Sequence, residues 1–367
     1  MPVRDVVVVG GGLAGLACAA ACAQAGARIE LLESAASPLS RAAHLEIVPN
    51  LLRDLDTLGV AQACVRQGFA FSGSSVVDED GTLRAELPSR RLAGPLLPPS
   101  VGIVYEDLLA ILAQRARALG VCLQSGQQVL GVDAGAGRLT LADGRSRQAD
   151  LVILAAGADA PIVRAVFGAP TGSSRATIWW HALIPRPHGL DQAVWMAGAV
   201  GRRLLLVPVG MAKAGIAVVH TEAMGREFDA EAMARTLGSW AALPRRLATL
   251  IQPGMPTTVR ASSGSMLDGP WFRGAVLCVG ASARAVAPPF GQSAAQAVED
   301  ALVLGELIGQ GLDRTPLMEC FMQRRGERAR RVHGLVQKAV RWIDQPDAST
   351  DLLAISKQLS DIVSIPA

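Results

Sequence analysis

Residues 5–33 read DVVVVGGGLAGLACAAACAQAGARIELLE, and this stretch decides the fold. Asp5–Val9 is a β-branched run of the kind that forms a buried strand. Gly10-Gly11-Gly12-Leu13-Ala14-Gly15 fits the pattern G-x-G-x-x-G. Gly12–Gln24 is rich in small residues and reads as a helix, and Arg28–Glu33 reads as a second strand. Between strand and helix the glycines have defined tasks: Gly10 permits the tight turn, Gly12 lets backbone approach a pyrophosphate, and Gly15 lets helix and strand pack closely. The helix start offers free N–H groups and the positive end of its dipole to phosphates. Glu33 closes the second strand 18 residues after Gly15, where a carboxylate can accept hydrogen bonds from ribose hydroxyls. The unit predicts a dinucleotide site and leaves FAD and NAD open.

The same stretch holds a charge-free run, Val6–Ala27, long enough to span a bilayer or to pass for the core of a signal peptide. Its order of strand, clustered glycines and Ala-rich helix argues against both. Elsewhere no apolar stretch is long enough and free of Gly and Pro, so no membrane span is expected. The chain has 367 residues, 50% hydrophobic, which excludes a disordered protein. Its 35 basic and 32 acidic residues leave a net charge of +3, too little to imply nucleic acid. The six cysteines form no C-x-x-C pair and no zinc-type cluster, which predicts reduced thiols in a cytoplasmic protein and no metal site.

Outward from the first unit, Pro49–Leu58 reads as a short helix, with Pro in its first turn. Phe69–Val77 and Thr82–Leu87 flank the turn DEDG and predict a hairpin. Leu92–Gly102 reads as a crossing segment and Glu106–Leu119 as an amphipathic helix. Short strands are expected near Val121–Leu123 and Val129–Val132, then a hairpin at ADGR and a buried strand Asp150–Leu154. Residues 170–255 hold four of the six tryptophans and read as a separate antiparallel lobe with a helical tail. A strand Ala275–Val279 and a helix Ser293–Ile308 then repeat the strand–loop–helix pattern. Pro316–Ile343 reads as a helix whose run RRGERARR is a solvated face. The expected organisation is a discontinuous nucleotide-binding domain (1–68, 100–165 and 258–345), a substrate lobe (69–99 and 166–257) and a helical tail (346–367).

Residues 274–302, GAVLCVGASARAVAPPFGQSAAQAVEDAL, carry a resemblance. With PNLLRDLDTLGV at 49–60, EDLLAILAQRARALGV at 106–121 and DLVILAAGADAPIVR at 150–164, the chain resembles the FAD-dependent aromatic hydroxylases, the p-hydroxybenzoate hydroxylase-like flavin monooxygenases, over nearly its whole length. It keeps Gly280, Pro288, Pro289, Phe290, Gly291, Gln292, Glu299, Asp300 and Ala301 of that pattern. The resemblance implies an α/β fold: a Rossmann-like FAD-binding domain with an inserted antiparallel β-sheet substrate lobe and a C-terminal helical segment. It implies a monooxygenase that hydroxylates a small aromatic or polyketide- or quinone-like substrate with O2 through a flavin hydroperoxide, with FAD as fixed cofactor and NAD(P)H as transient co-substrate. The cofactor contacts it implies are Gly10, Gly12, Leu13, Ala14, Gly15, Glu33, Ser34, Arg41, Tyr105, Val129, Gly157, Gly280, Ala281, Pro288, Gly291, Gln292 and Ser293. A long cofactor must be held at both ends, and a helix starting near Ser293 can point N–H groups at the electron-rich side of a flavin.

The departures are as specific. The family's Gly-Asp is Gly280-Ala281, its His is Arg284, its Asp-Gly is Ala156-Gly157, and the Arg at the start of its long helix is Tyr105. The Gly-rich stretch before the Pro-Asn helix is Ala42-Ala43-His44. Four polar contacts change together, each worth ~1.5–3 kcal/mol if charged. Two readings follow: a flavin enzyme with altered contacts, in which Arg284 can face phosphate or flavin, or a degenerate homologue with a binding or non-oxygenating reductase role. Tyr105 is the only tyrosine, so a tyrosine relay is not expected. His44 and His181 are the candidate catalytic bases. His220 reads as a strand histidine, His188 as a turn residue and His333 as a surface helix residue. Trp179, Trp180 and Trp195 can wall an aromatic pocket or fill a core, and Arg202 and Arg203 can hold a substrate carboxylate or solvate a strand edge. A flavin halogenase needs an early lysine, and the first lysine here is Lys213.

Overall fold

The computed structural model describes residues 2–36, 43–157, 159–169, 171–172, 177–199, 202–220, 227–262, 264–286, 289–345 and 351–367. Its nucleotide-type sheet has six strands in the order Phe272–Arg273, Val276–Cys278, Leu151–Leu154, Asp5–Val9, Arg28–Glu33, Cys122–Ser125. All neighbours in it are parallel except the first pair. Central strands of such a sheet are covered on both faces, so they read as unbroken apolar runs such as VVVV and LVIL.

The helix Leu13–Gln24 is buried almost all round because it lies between this sheet and the helix Gln292–Gly309. Its small residues permit that: a Cβ at Gly305 would come within 2.9 Å of the Ala21 carbonyl oxygen. The charge-free run is therefore the inside of a nucleotide fold, and no helix among the described residues is long and apolar enough to cross a membrane.

Three strands, His44–Ile47, Ser100–Val104 and Phe69–Phe71, form a small antiparallel sheet with Ser100–Val104 in the middle. A seven-stranded sheet runs in the order Thr257–Ser262, Thr177–Pro185, Lys213–His220, Arg203–Pro208, Ala193–Ala197, Ser74–Val77, Leu83–Leu87. One face packs on the helices Ala230–Gly238 and Ala242–Ala248 through Trp180, Met233, Leu237 and Trp240. The opposite face carries Trp179, Leu205, Val207 and Ala217, with Phe71 of the small sheet packed on it. Adjacent tryptophans thus serve two different layers, because successive strand side chains point to opposite faces.

Several expectations are corrected. Phe69–Val77 is not one hairpin arm: Phe69–Phe71 joins the small sheet and Ser74–Val77 pairs with Leu83–Leu87. The crossing segment ends in the strand Ser100–Val104. Thr257–Ser262 pairs with Thr177–Pro185, so it belongs to the seven-stranded sheet although the sequence boundary at 258 cuts through it. The run RRGERARR lies on the helix Arg314–Asp344, but Arg325 within it is fully buried. It is held there by carboxylates of the helix Gln292–Gly309, which outweigh the preference of arginine for solvent.

Candidate active site

Strand Asp5–Val9 delivers the glycine loop. Gly10 has φ +109°, and a Cβ there would run into the Ala155 carbonyl. A Cβ at Gly15 would strike the Gly10 carbonyl, whereas nothing lies within 4 Å of one at Gly12. The loop is therefore closed where strand and helix pack and open where a ligand can approach. Gly12 caps the helix without a side-chain hydrogen bond, which leaves the first-turn N–H groups at Leu13 and Ala14 for an anion. The Glu33 carboxylate crosses the mouth of this loop. It accepts from Gly11 N at 2.5 Å, from Ala35 N at 2.7 Å and from the Ser34 hydroxyl at 3.2 Å. Gln127 N donates to the Glu33 carbonyl, which brings the start of the strand Val129–Asp133 alongside. This donor and acceptor set fits the ribose and pyrophosphate of FAD.

The second strand end touches the first: a Cβ at Gly280 (φ +55°) would be 2.6 Å from that of Ala14. Gly280 N donates to Asp300 Oδ2 at 3.0 Å. Gly157, with open space where a Cβ would be, donates to the Ser282 hydroxyl at 3.0 Å. Ala281 and Ser293 are exposed, and Gly291 caps the helix Gln292–Gly309 at φ +61°. The buried Gln292 side chain exchanges hydrogen bonds with Asn50 at 3.2 and 3.3 Å and donates to the Phe290 carbonyl. It braces the Pro49–Thr57 helix against the loop. Arg41 and Pro288 lie outside the described residues.

Arg284 does not face a phosphate or flavin. Its guanidinium is buried, 2.8 Å from Asp300 Oδ2, donates to the Gln296 carbonyl and lies over the Trp271 ring. Arg325 Nε donates to Asp300 Oδ1 at 2.8 Å and its Nη1 to Glu299, and Arg328 reaches Glu299 at 2.7 Å. Burial alone would push the Asp300 carboxyl up, but Arg284 and Arg325 hold it below its ordinary value. Sequence reading missed this cluster. The one available signal was Arg325 and Arg328, three apart on a helix that follows the Glu299-Asp300 pair.

Between the small sheet and the seven-stranded sheet, His44 and His181 meet edge to face with ring centroids 5.1 Å apart. A glycine makes room for them: a Cβ at Gly215 would collide with the His44 ring. Both nitrogens of His44, Nδ1 of His181 and Nε1 of Trp179 are buried without a hydrogen-bond partner among the described residues. Burial and Arg260 push His44 down to about 3, and burial, His44 and Arg260 lower His181. Both imidazoles are therefore neutral at pH ~7, the form that can accept a hydrogen bond or a proton, and a lowered pKa makes each a weak base. Arg260 lies 4.1 Å over the Tyr105 ring. Glu46, two residues beyond His44, is pushed up to about 7 by burial.

A cavity of about 40 Å³ lies on the Trp179 face of the large sheet. Its floor is Val76, Leu87, Trp179, Trp195, Met196 and Ala197; Phe290 and Leu352 oppose it, and Arg203 is the one charged residue lining it. Trp179 and Trp195 meet edge to face at 6.1 Å. Trp180 fills the other layer, Arg202 pairs with Glu79, His188 is exposed and His333 is half-buried on the long helix. The backbone of His220 pairs with Ile178.

Residues 4–339 match the family described as FAD binding domain. The chain is similar to 2-heptyl-3-hydroxy-4(1H)-quinolone synthase of Pseudomonas aeruginosa, at 28% identity over 82% of this chain and 80% of that one. It is also similar to 3-amino-4-hydroxybenzoate 2-monooxygenase PtnB3 of Streptomyces platensis, at 25% identity over 89% and 85%. In fold it resembles Klebsiella pneumoniae HpxO, solved with FAD and uric acid, with TM-score 0.80, 22% identity and coverage of 99% and 97%.

Proposed function

We infer the function from one fact: the chain belongs to the FAD binding domain family, the FAD-dependent, aromatic hydroxylase-like monooxygenases. We propose that it hydroxylates a flat, largely apolar ring bearing an oxo or hydroxyl group, of quinolone or quinone type, using NAD(P)H and O2. The observation that carries this reading is the cavity. It joins the tryptophan face of the large sheet to Phe290, whose loop leads into the helix Gln292–Gly309. An apolar lining of this kind favours a bare or alkylated ring over a benzoate. Names among the relatives point to both classes.

Bound FAD, once reduced, supplies the activated oxygen. The chain's residues do the rest. The glycine loop and Glu33 hold the dinucleotide end. Trp179 and Trp195 orient the ring by its faces. The neutral imidazoles of His44 and His181 and the indole N–H of Trp179 are unpaired groups on the seam side of the sheet, suited to hydrogen-bond a substrate oxygen. The apolar walls keep water from the reacting atoms. The free cysteines among the described residues agree with a reducing compartment, and we place the protein in the cytoplasm.

The purified protein is expected to be yellow. Its oxidation of NADH or NADPH should accelerate when a 4-quinolone is added, with a product heavier by one oxygen. A colourless protein that takes up no added FAD sinks this reading and favours a non-catalytic homologue.

A further inference from the structure

We propose that Leu352, the first residue of the last helix (Leu352–Val363), is the wall that sets how large a ring substituent the cavity admits. The proposal rests on the reading of the cavity as the substrate site. Eight of the nine lining residues come from the large sheet or from Phe290; Leu352 alone comes from the C-terminal segment. At about 40 Å³ the space holds a few waters and no substituted ring. Entry of a substrate therefore requires one boundary to give. Val76, Trp179, Trp195, Met196, Ala197 and Arg203 cannot, because their strands are paired on both sides and the other face of the sheet is packed; Leu87 lies on the edge strand.

The last helix is held unequally along its length. At its C-terminal end Arg53 donates to the carbonyls of Val363 and Ser364 at 3.0 and 3.1 Å. Arg328, already paired with Glu299, donates to those of Ile362 and Ile365 at 2.8 and 2.6 Å. Arg324 donates to the Ala367 carbonyl. From its middle to its C-terminal end, Leu359 and Val363 pack with Val332 and Val336 of the long helix and with Val286 and Phe290 of the loop. At the N-terminal end Ala354 N donates to the side chain of the capping Asp351 at 2.8 Å. Among the described residues the hydrogen bonds to neighbouring elements thus gather at the end remote from the cavity; at the near end Ile355 is buried and Leu352 faces the cavity. Its neighbour Leu353 is 52% exposed and points away, so the two leucines form an internal control.

The experiment uses holoenzyme carrying Leu352→Ala, Leu352→Phe or Leu353→Ala. Two readouts are taken. Acrylamide quenching is measured in Trp195 and Trp195→Phe backgrounds, and the difference isolates the cavity indole. Perturbation of the flavin spectrum gives dissociation constants for 4-hydroxyquinoline and 2-heptyl-4-hydroxyquinoline. We expect Leu352→Ala to raise quenching about twofold and to shift preference at least fivefold toward the heptyl probe, Leu352→Phe to do the reverse, and Leu353→Ala to change neither. Quenching and preference both within twofold of the parent in both Leu352 variants would overturn the proposal. Quenching that rises while neither probe perturbs the flavin would support the wall and overturn the substrate reading beneath it.

Discussion

At Gly10–Gly15 the chain turns from strand to helix because Cβ atoms are missing; at Gly280–Arg284 it makes a similar turn because charges pull on it. The first loop is shaped chiefly by steric exclusion, with Gly11 N donating to the Glu33 carboxylate. It has no titratable group of its own, and Glu33 reaches in from the neighbouring strand. The second is anchored from behind by Asp300, which takes Gly280 N, Arg284 and Arg325 together. Steric shaping leaves N–H groups open to a ligand. In the second loop Gly280 N goes to Asp300 and the N–H groups of Ser282, Ala283 and Arg284 go to backbone carbonyls, so it offers shape and little direct polar contact. This accounts for how the site tolerates Ala281 and Arg284 in place of the resembled Asp and His.

The contrast can be broken most sharply at Arg325. Arg325→Met leaves two buried carboxylates short of a cation and should cost about 3–5 kcal/mol in urea unfolding. A loss below about 1 kcal/mol would mean the cluster anchors nothing. The glycine loop should respond differently at its two ends. Gly15→Ala meets the Gly10 carbonyl and should lower stability by about 2 kcal/mol. Gly12→Ala meets only open space, so stability should stay within ~0.5 kcal/mol while FAD affinity falls about tenfold. Equal stabilities for the two alanine variants would remove the steric account.

Burial of a carboxylate with and without cations gives a third comparison. Glu46 is raised from 4.5 to about 7 by burial, whereas Asp300 is held low by its arginines. For Glu46 the folded chain keeps a proton that the unfolded chain has released, so stability falls as pH rises from 4.5 to about 7. Glu46→Gln should abolish that fall and leave the variant more stable at pH ~8 by about 2 kcal/mol. Asp300 works in the opposite sense: its contribution is present above its unfolded value and is lost as pH falls through the lower folded one. Urea midpoints across the pH range check both signs. The smallest effect is expected for Ala281→Asp. Asp300 fixes the residue before it, Gly280, and the Ala281 side chain is exposed, so FAD affinity should change less than about fivefold (~1 kcal/mol). A gain of a hundredfold in fluorescence titration would show that the native site lacks a contact it needs.

The first loop was legible because every part of it is local: strand, glycines and helix follow one another within 29 residues. The helix Gln292–Gly309 was legible for the same reason. Arg325 was not, because its partners lie a whole helix earlier and a run of five arginines in eight residues reads as solvated until the facing carboxylates are placed. Trp179 and Trp180 stand between these cases. Strand alternation already separates them onto two faces, but which face meets the cofactor loop depends on the position of Phe290. The histidines show the other limit: their residue type marked them as candidates, but that they meet each other, and that burial lowers both, depends on two sheets coming together.

His44 entering the place left vacant by Gly215 has a consequence for evolution. A ring from one lobe occupies space that only a missing side chain in the other provides, so the two positions are a lock and its key rather than independent sites. Exchange of the substrate lobe for one with a side chain at position 215 would leave the His44 ring without its space. A graft carrying both positions together should assemble, and one carrying either alone should not. Changes of substrate range are then easier through the tryptophans and the last helix than through this pair, where one substitution demands another.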